Sequence, residues 1–254
     1  MPLGLPNFIK RPDEDDYKML RDMGAKLKIP VIECFITAQV NTPDGKIAHL
    51  HSERAKSWNR NFYNLFATMG LSTGTDAETT FEAGALTLKD TGGTIRYTAG
   101  TATVRRGYGL YGANYAIWEK AGNYGYGFFG AAADSNYGIV IGTDDGAESF
   151  EGYALGAIIN NGTGAGQMSY VANTICTRTY VAGTKTWSTA HERFINNNSG
   201  GAITVKECGI YSLLLYSATN GKFMIARDVL ASSIAVADTA QLKVTYTLSM
   251  VFPS

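Results

Sequence analysis

"ERFINNNSGGAITVKECGIYS" occupies residues 192–212, and its reading decides the fold. Strand-forming residues flank a cluster of three asparagines, one serine and two glycines. Asparagine and glycine adopt left-handed backbone at little cost, so the cluster reads as the tip of a hairpin between two strands.

Further strand signals extend outward from it. Downstream of residue 138 come "GIVIGT", "YALGAII", "QMSYVANTICTRTYVAG", "KTWSTAHERFI", "AITVKECGIYSLLLYS", "KFMIARDVL" and "LKVTYTLSMVF". The turn-forming clusters "NNGTGAG", "AGTK", "NNNSGG" and "SATNG" separate several of them. Short strands at this spacing predict an antiparallel sandwich rather than alternating βα units. Residues 185–195 look half-exposed, whereas "YSLLLY" (211–216) looks buried on both faces.

The first 60 residues differ in character, carrying 18 of the 44 charged residues. Pro12 and the acids after it predict a helix start, with a helix to Met23 stopped by Gly24. "IPVIECFITAQV", "TPDGK" and "IAHLH" then predict a strand, a turn and a second strand. Ser52 is the expected cap of a helix over 53–69, with Ala55, Trp58, Phe62, Leu65, Phe66 and Met69 on its core face. Weak strand signals follow in "ALTLKD" and "TIRYTA". The fold expected is mainly β: an antiparallel β-sandwich over 29–254, an N-terminal arm over 1–28 with a short helix, and a Gly/Tyr-rich insertion over 107–130.

That insertion is either a loop packed by its own rings or an interface segment. As an interface it would bury Tyr108, Tyr111, Tyr115, Trp118, Tyr124 and Tyr126 against a neighbour, since Tyr and Trp are favoured where surfaces dock. Charged residues make up 17% of the chain, while glycines number 29 and tyrosines 15, which points to extensive contact with something other than water. The formal net charge of zero supplies no general attraction to nucleic acid or to a membrane. No stretch of about eighteen apolar residues occurs and no leader is expected, so a soluble chain made in a cytoplasm is anticipated.

Candidate chemistry is sparse. Cys34, Cys176 and Cys208 are too widely spaced for a zinc site and read as reduced core residues. His49 and His51 share a strand face, but no acid or third histidine is evident beside them, and His191 stands apart. "GTGAG" (162–166) opens no helix and lacks the lysine of a phosphate loop. Asp144, Asp145, Glu148 and Glu151 lack calcium-loop spacing and read as a solvated turn and linker, with glycoside hydrolysis the rival use. No cofactor, stoichiometric metal or hydrolase activity is expected. Arg193, Glu207, Arg227 and Asp228 lie within strands between apolar neighbours, where buried charges must be paired. They are expected to form ion pairs inside the sandwich, with Glu207 in reach of Arg193 or Arg227; a catalytic Glu207 is the rival reading.

In order along the chain, "YGIVIGTDDGAESFEGYALGAII", "GTGAGQMSYVA", "ERFINNNSGGAITVKECGIY", "IARDVL" and "LKVTYTLSM" resemble the motifs of a group of tailed-bacteriophage virion structural proteins, often tail-fibre or tail-associated. "TAQVNTPDGKIAHLHSERAKSWNRNFYNLF" is similar to their N-terminal portion, so the likeness covers residues 34–69 and 137–249. The chain departs from the pattern at Cys208, where isoleucine is usual, and in the Gly/Tyr insertion. The resemblance implies a non-catalytic virion component, assembled in the host cytoplasm, whose partners are copies of itself and other virion proteins. The N-terminal arm would dock on such a neighbour. A head decoration or head-fibre protein, and a receptor tip binding host glycan through the insertion's rings, are the alternatives.

Overall fold

A computed structural model describes residues 7–10, 12–55, 58–64, 87–97, 128–174, 177–216 and 219–252. The chain order begins α1 (Glu14–Leu27), β1 (Val31–Asn41), β2 (Ile47–Ala55), β3 (Thr87–Lys89), β4 (Ile95–Tyr97) and β5 (Gly138–Gly142). It continues with β6 (Ser169–Tyr170), β7 (Thr177–Val181), β8 (Thr186–Asn196), β9 (Ile203–Tyr216), β10 (Thr219–Val236) and β11 (Gln241–Val251). Six strands form one sheet in the order β2-β1-β11-β8-β6, with β7 also on β8. Three form a second sheet, β10-β9-β5, while β3 and β4 make a separate pair. The strand pairs are antiparallel, and the sheets pack on each other as the expected mainly β sandwich.

Period-two alternation supplies the core. In β11, Leu242, Val244, Tyr246 and Leu248 are buried and alternate with half-buried Lys243, Thr245 and Thr247. Ile36, Ala38 and Val40 of β1 lie beside them and meet Ile139, Ile141, Cys208, Ile210 and Ile234 from the smaller sheet. The "TPDGK" turn joins β1 to β2 as expected, with Gly45 at φ 79°.

The Asn/Ser/Gly cluster is not a hairpin tip. β8 ends at Asn196 in the larger sheet and β9 begins at Ile203 in the smaller one, so the cluster arches between sheets. Asn197 is fully buried and fixes the arch. Its Nδ2 donates to Gly201 O and Val236 O, each at 2.8 Å, and its Oδ1 accepts from Ser199 Oγ at 2.7 Å. Gly200 supplies the left-handed residue at φ 82°. Asn197→Ala is expected to cost about 3 kcal/mol, because buried carbonyls lose their donor. Asn198→Ala, on an exposed side chain, should stay within about 0.5 kcal/mol. Urea unfolding midpoints of the two variants check this.

Other expectations need correcting. α1 continues past Gly24 to Leu27 and ends at Lys28, which is left-handed at φ 58°. Gly24 instead lets the helix approach β1, since a Cβ there would strike Val31. The helix expected over 53–69 does not start at Ser52, because Ser52, Glu53, Arg54 and Ala55 complete β2 and are buried. A helical turn begins at Arg60, capped by Asn59, whose Oδ1 accepts from Phe62 N at 3.2 Å. Trp58 and Phe62 stack at 4.0 Å against the core, whereas Leu65, Phe66 and Met69 lie outside the described residues. "YALGAII" forms only a bridge, Gly142 to Ile158, rather than a strand. In "YSLLLY", Tyr211 and Ser212 are buried but Leu213 only half so.

Candidate functional site

Strand register sorts the in-strand charges onto two faces. Cys208 and Ile210 point toward the larger sheet, so Glu207, Gly209 and Tyr211 point away, as does Arg227, which pairs with Gly209. Residues 143–157 cross this outer face as a strap.

Glu207 is fully buried beneath the strap. Its Oε2 accepts from Arg227 Nε at 2.7 Å, and its two oxygens also take Gly156 N at 3.2 Å and Ala157 N at 3.0 Å. Arg227 Nη2 reaches Asp144 Oδ2 at 2.8 Å and Gly146 O at 3.0 Å, while Nη1 donates to Ala147 O at 3.1 Å. Gly142 and Gly156 permit the closeness, since a Cβ at either would collide with the carboxylate of Glu207 or Asp144. The strap's other acids are also engaged. Glu148 Oε1 accepts from Val229 N at 2.8 Å, Asp145 pairs with Lys206 at 2.7 Å, and Glu151 pairs with Arg60. Lys206 holds Asp145, and Arg60 holds Glu151, below the usual carboxylate range. The segment expected to be a solvated turn and linker is exposed along much of its length, and it also acts as a clasp. Its carboxylates accept hydrogen bonds that fix backbone, and tie the strap to β9 and β10.

Arg193 and Asp228 face the space between the sheets and stand apart from that pair. Arg193 is fully buried and donates to five backbone carbonyls: Val171, Tyr137, Ile139, Ala131 and Asp134. Its guanidinium lies 4.7 Å from the Tyr170 ring, and burial lowers its pKa to about 10. Asp228 accepts from Tyr246 OH at 3.1 Å. The expected single ion-pair cluster is thus resolved into a clasp outside the smaller sheet and two polar anchors inside.

His191 sits beside Arg193, with its Nε2 3.2 Å from Asn173 Nδ2. Burial, followed by the Arg193 charge, lowers its pKa to about 4. The unfolded ring protonates near 6.5, so stability is complete above that pH and falls as pH drops toward 4. About 3 kcal/mol should disappear over this window. Urea midpoints between pH 7 and 4 should fall more steeply for the parent than for His191→Gln.

His49 and His51 stack at 6.4 Å, and the acid not evident beside them is Glu53. His51 Nε2 lies 3.1 Å from Glu53 Oε2 without hydrogen-bond alignment, while that oxygen accepts from Ala231 N at 2.9 Å. Among the described residues, no group of three or more His, Cys, Asp or Glu could hold a metal ion. Cys34 and Cys208 are free and buried, and burial pushes both thiols well up; Cys176 lies outside the described residues. Tyr108, Tyr111, Tyr115, Trp118, Tyr124 and Tyr126 also lie outside them.

One anchor had no counterpart in the sequence reading. Arg54 is buried on the outer face of the larger sheet, where Nε and Nη2 hold the Glu14 carboxylate at 3.0 and 2.6 Å. Its Nη1 donates to Glu33 at 2.6 Å, and Tyr17 stacks 4.0 Å from the guanidinium. Helix α1 of the N-terminal arm is thereby docked on its own sheet. A groove of about 580 Å³ remains beside α1, where Lys10 pairs with Asp15, Lys18 with Asp22 and Arg21 with Glu33. Elsewhere Tyr63 and Phe150 expose their rings 5.8 Å apart beside Arg60. No protein-family model, curated protein or solved structure matches this chain.

Proposed function

We propose that this chain is a structural component of a tailed-phage virion, of the tail, baseplate or neck, assembled in the host cytoplasm. It acts by self-assembly and by docking on other virion proteins, without turnover. The observation that carries this is where the phage-like motifs fall. "GIVIG" is β5, buried along its whole length at one side of the smaller sheet, "NNNSGG" is the arch between sheets, and Arg227 of "ARDVL" closes the clasp on Glu207. The motifs of the resemblance therefore build a frame, and Asp144 and Glu148, two of the acids weighed for hydrolysis, are bonded to it. Low charge and the excess of Gly and Tyr suit a chain that buries surface against neighbours.

Purified particles provide the test. Mass spectrometry should find the chain in stoichiometric amounts, and a reconstruction should locate its copies. A chain absent from intact particles overturns the proposal. A position on the capsid exterior favours the head decoration or head-fibre alternative within the same class. The receptor-tip alternative places its sugar contacts on rings outside the described residues, and binding on a glycan array would support it.

A further inference from the structure

An amphipathic surface helix ordinarily turns its apolar stripe toward the core. α1 does the reverse. Glu14, Tyr17, Arg21 and Gly24 recur at three- and four-residue spacing and face the sheet, where Arg54 and Glu33 hold the polar members. On the opposite side Met19, Leu20, Met23 and Leu27 are 61%, 49%, 52% and 61% exposed, and Ile29 extends the stripe at 58%. The helix is not free to roll and cover them. The two bonds from Arg54 to Glu14 fix its rotation, and only glycine fits at position 24 against Val31.

We infer that this stripe seats a second copy of the same chain, with α1 packed antiparallel on α1 about a two-fold axis. The charge pattern selects that occupant. In the acidic first turn Glu14 is taken by Arg54 and Asp15 by Lys10, which leaves Asp16 to act on a neighbour, and the last turn carries Lys26, followed by Lys28. Antiparallel packing sets each acidic end beside the basic end of its mate, twice over. Parallel packing sets like charges together. A two-fold axis level with residue 21 places Met19 opposite Met23 and Asp16 level with Lys26.

Size sets the strength of the contact. A helix of 14 residues is about 21 Å long, and one such pair buries less than the roughly 1,200 Å² of a standard stable interface. The dimer is accordingly reversible in dilute solution and strengthens where copies are already held together. The inference deepens the assembly reading above and rests on it for its setting only. A monomeric chain would refute this contact yet leave the virion assignment open to the particle experiments.

Sedimentation of the full chain from micromolar to near-millimolar concentration is the test. A reversible dimer is expected, and Met23→Glu should weaken it at least about tenfold while leaving the thermal midpoint unchanged in solutions dilute enough to hold only monomer. Asp16→Lys alone and Lys26→Asp alone should each also weaken it. An equimolar mixture of those two variants should restore a dimer, because both charge contacts become complementary again. A chain that stays monomeric throughout overturns the inference, as it would if the stripe served a different protein. A dimer indifferent to Met23→Glu, or charge variants that fail to recover on mixing, overturns it equally.

Discussion

Arg193→Met is expected to unfold the protein or bring it to the edge of unfolding. The guanidinium is the shared donor for five backbone carbonyls from the segments around 131–139 and from Val171. Methionine fills much of the volume but donates nothing, leaving those acceptors buried without that partner. An unsatisfied buried polar group costs about 1–3 kcal/mol, so even partial relaxation leaves a loss of about 5 kcal/mol or more. Domains are usually stable by only about 5–15 kcal/mol. Arg193→Lys should recover little, because an ammonium has three donors and no planar fork. Soluble yield and urea midpoint check both variants, with Lys243→Met, on a part-exposed pair with Glu192, as the insensitive control. A loss under about 1 kcal/mol for Arg193→Met would refute the anchoring role.

The second large effect belongs to the clasp. Arg227→Met should cost about 3–5 kcal/mol, since it strips the cation from a carboxylate that stays buried. Lys206→Met should hardly register, because its pair with Asp145 is largely exposed, at 38% and 68%. Adding Glu207→Gln to Arg227→Met should restore part of the loss by removing the stranded charge while keeping an acceptor for Ala157 N. Equal thermal midpoints for Arg227→Met and Lys206→Met would refute the clasp.

Much of the strand content was legible because β-branched and aromatic runs were punctuated by turn residues. β5, β8, β9 and β11 fall on runs picked out by that signal. What the sequence could not disclose was partnership. "NNNSGG" carries the same left-handed residues whether the following strand folds back beside its predecessor or crosses to another sheet. The difference lies in Asn197 bonding Val236, a residue 39 positions away. "SERA" resembled a helix start for a related reason. Its buried charges depend on Glu14 and on the backbone of Ala231, and neither is near in sequence. The in-strand charges could be recognised as needing partners. Arg227 and Glu207 stand on adjacent strands, 20 residues apart. Arg193, by contrast, spends its donors on main chain, which has no side-chain signature to search for. The strap's acids gave no sign of their bonding, because their partners, Arg60, Lys206, Arg227 and Val229 N, come from other elements.

The register of β1 on β11 also sets how the molecule carries mechanical load. Val31 lies directly across from Val251, and the pairing runs from there to Asn41 opposite Gln241. The chain therefore enters and leaves this strand pair side by side. Tension between those two points would open the ladder one rung at a time, as a zipper parts. A pull along the strands, from Val31 toward Gln241, would instead strain all the rungs together. Tethers attached near Val31 and Val251 should let the sandwich peel open at low force, whereas tethers at Val31 and Gln241 should make it resist.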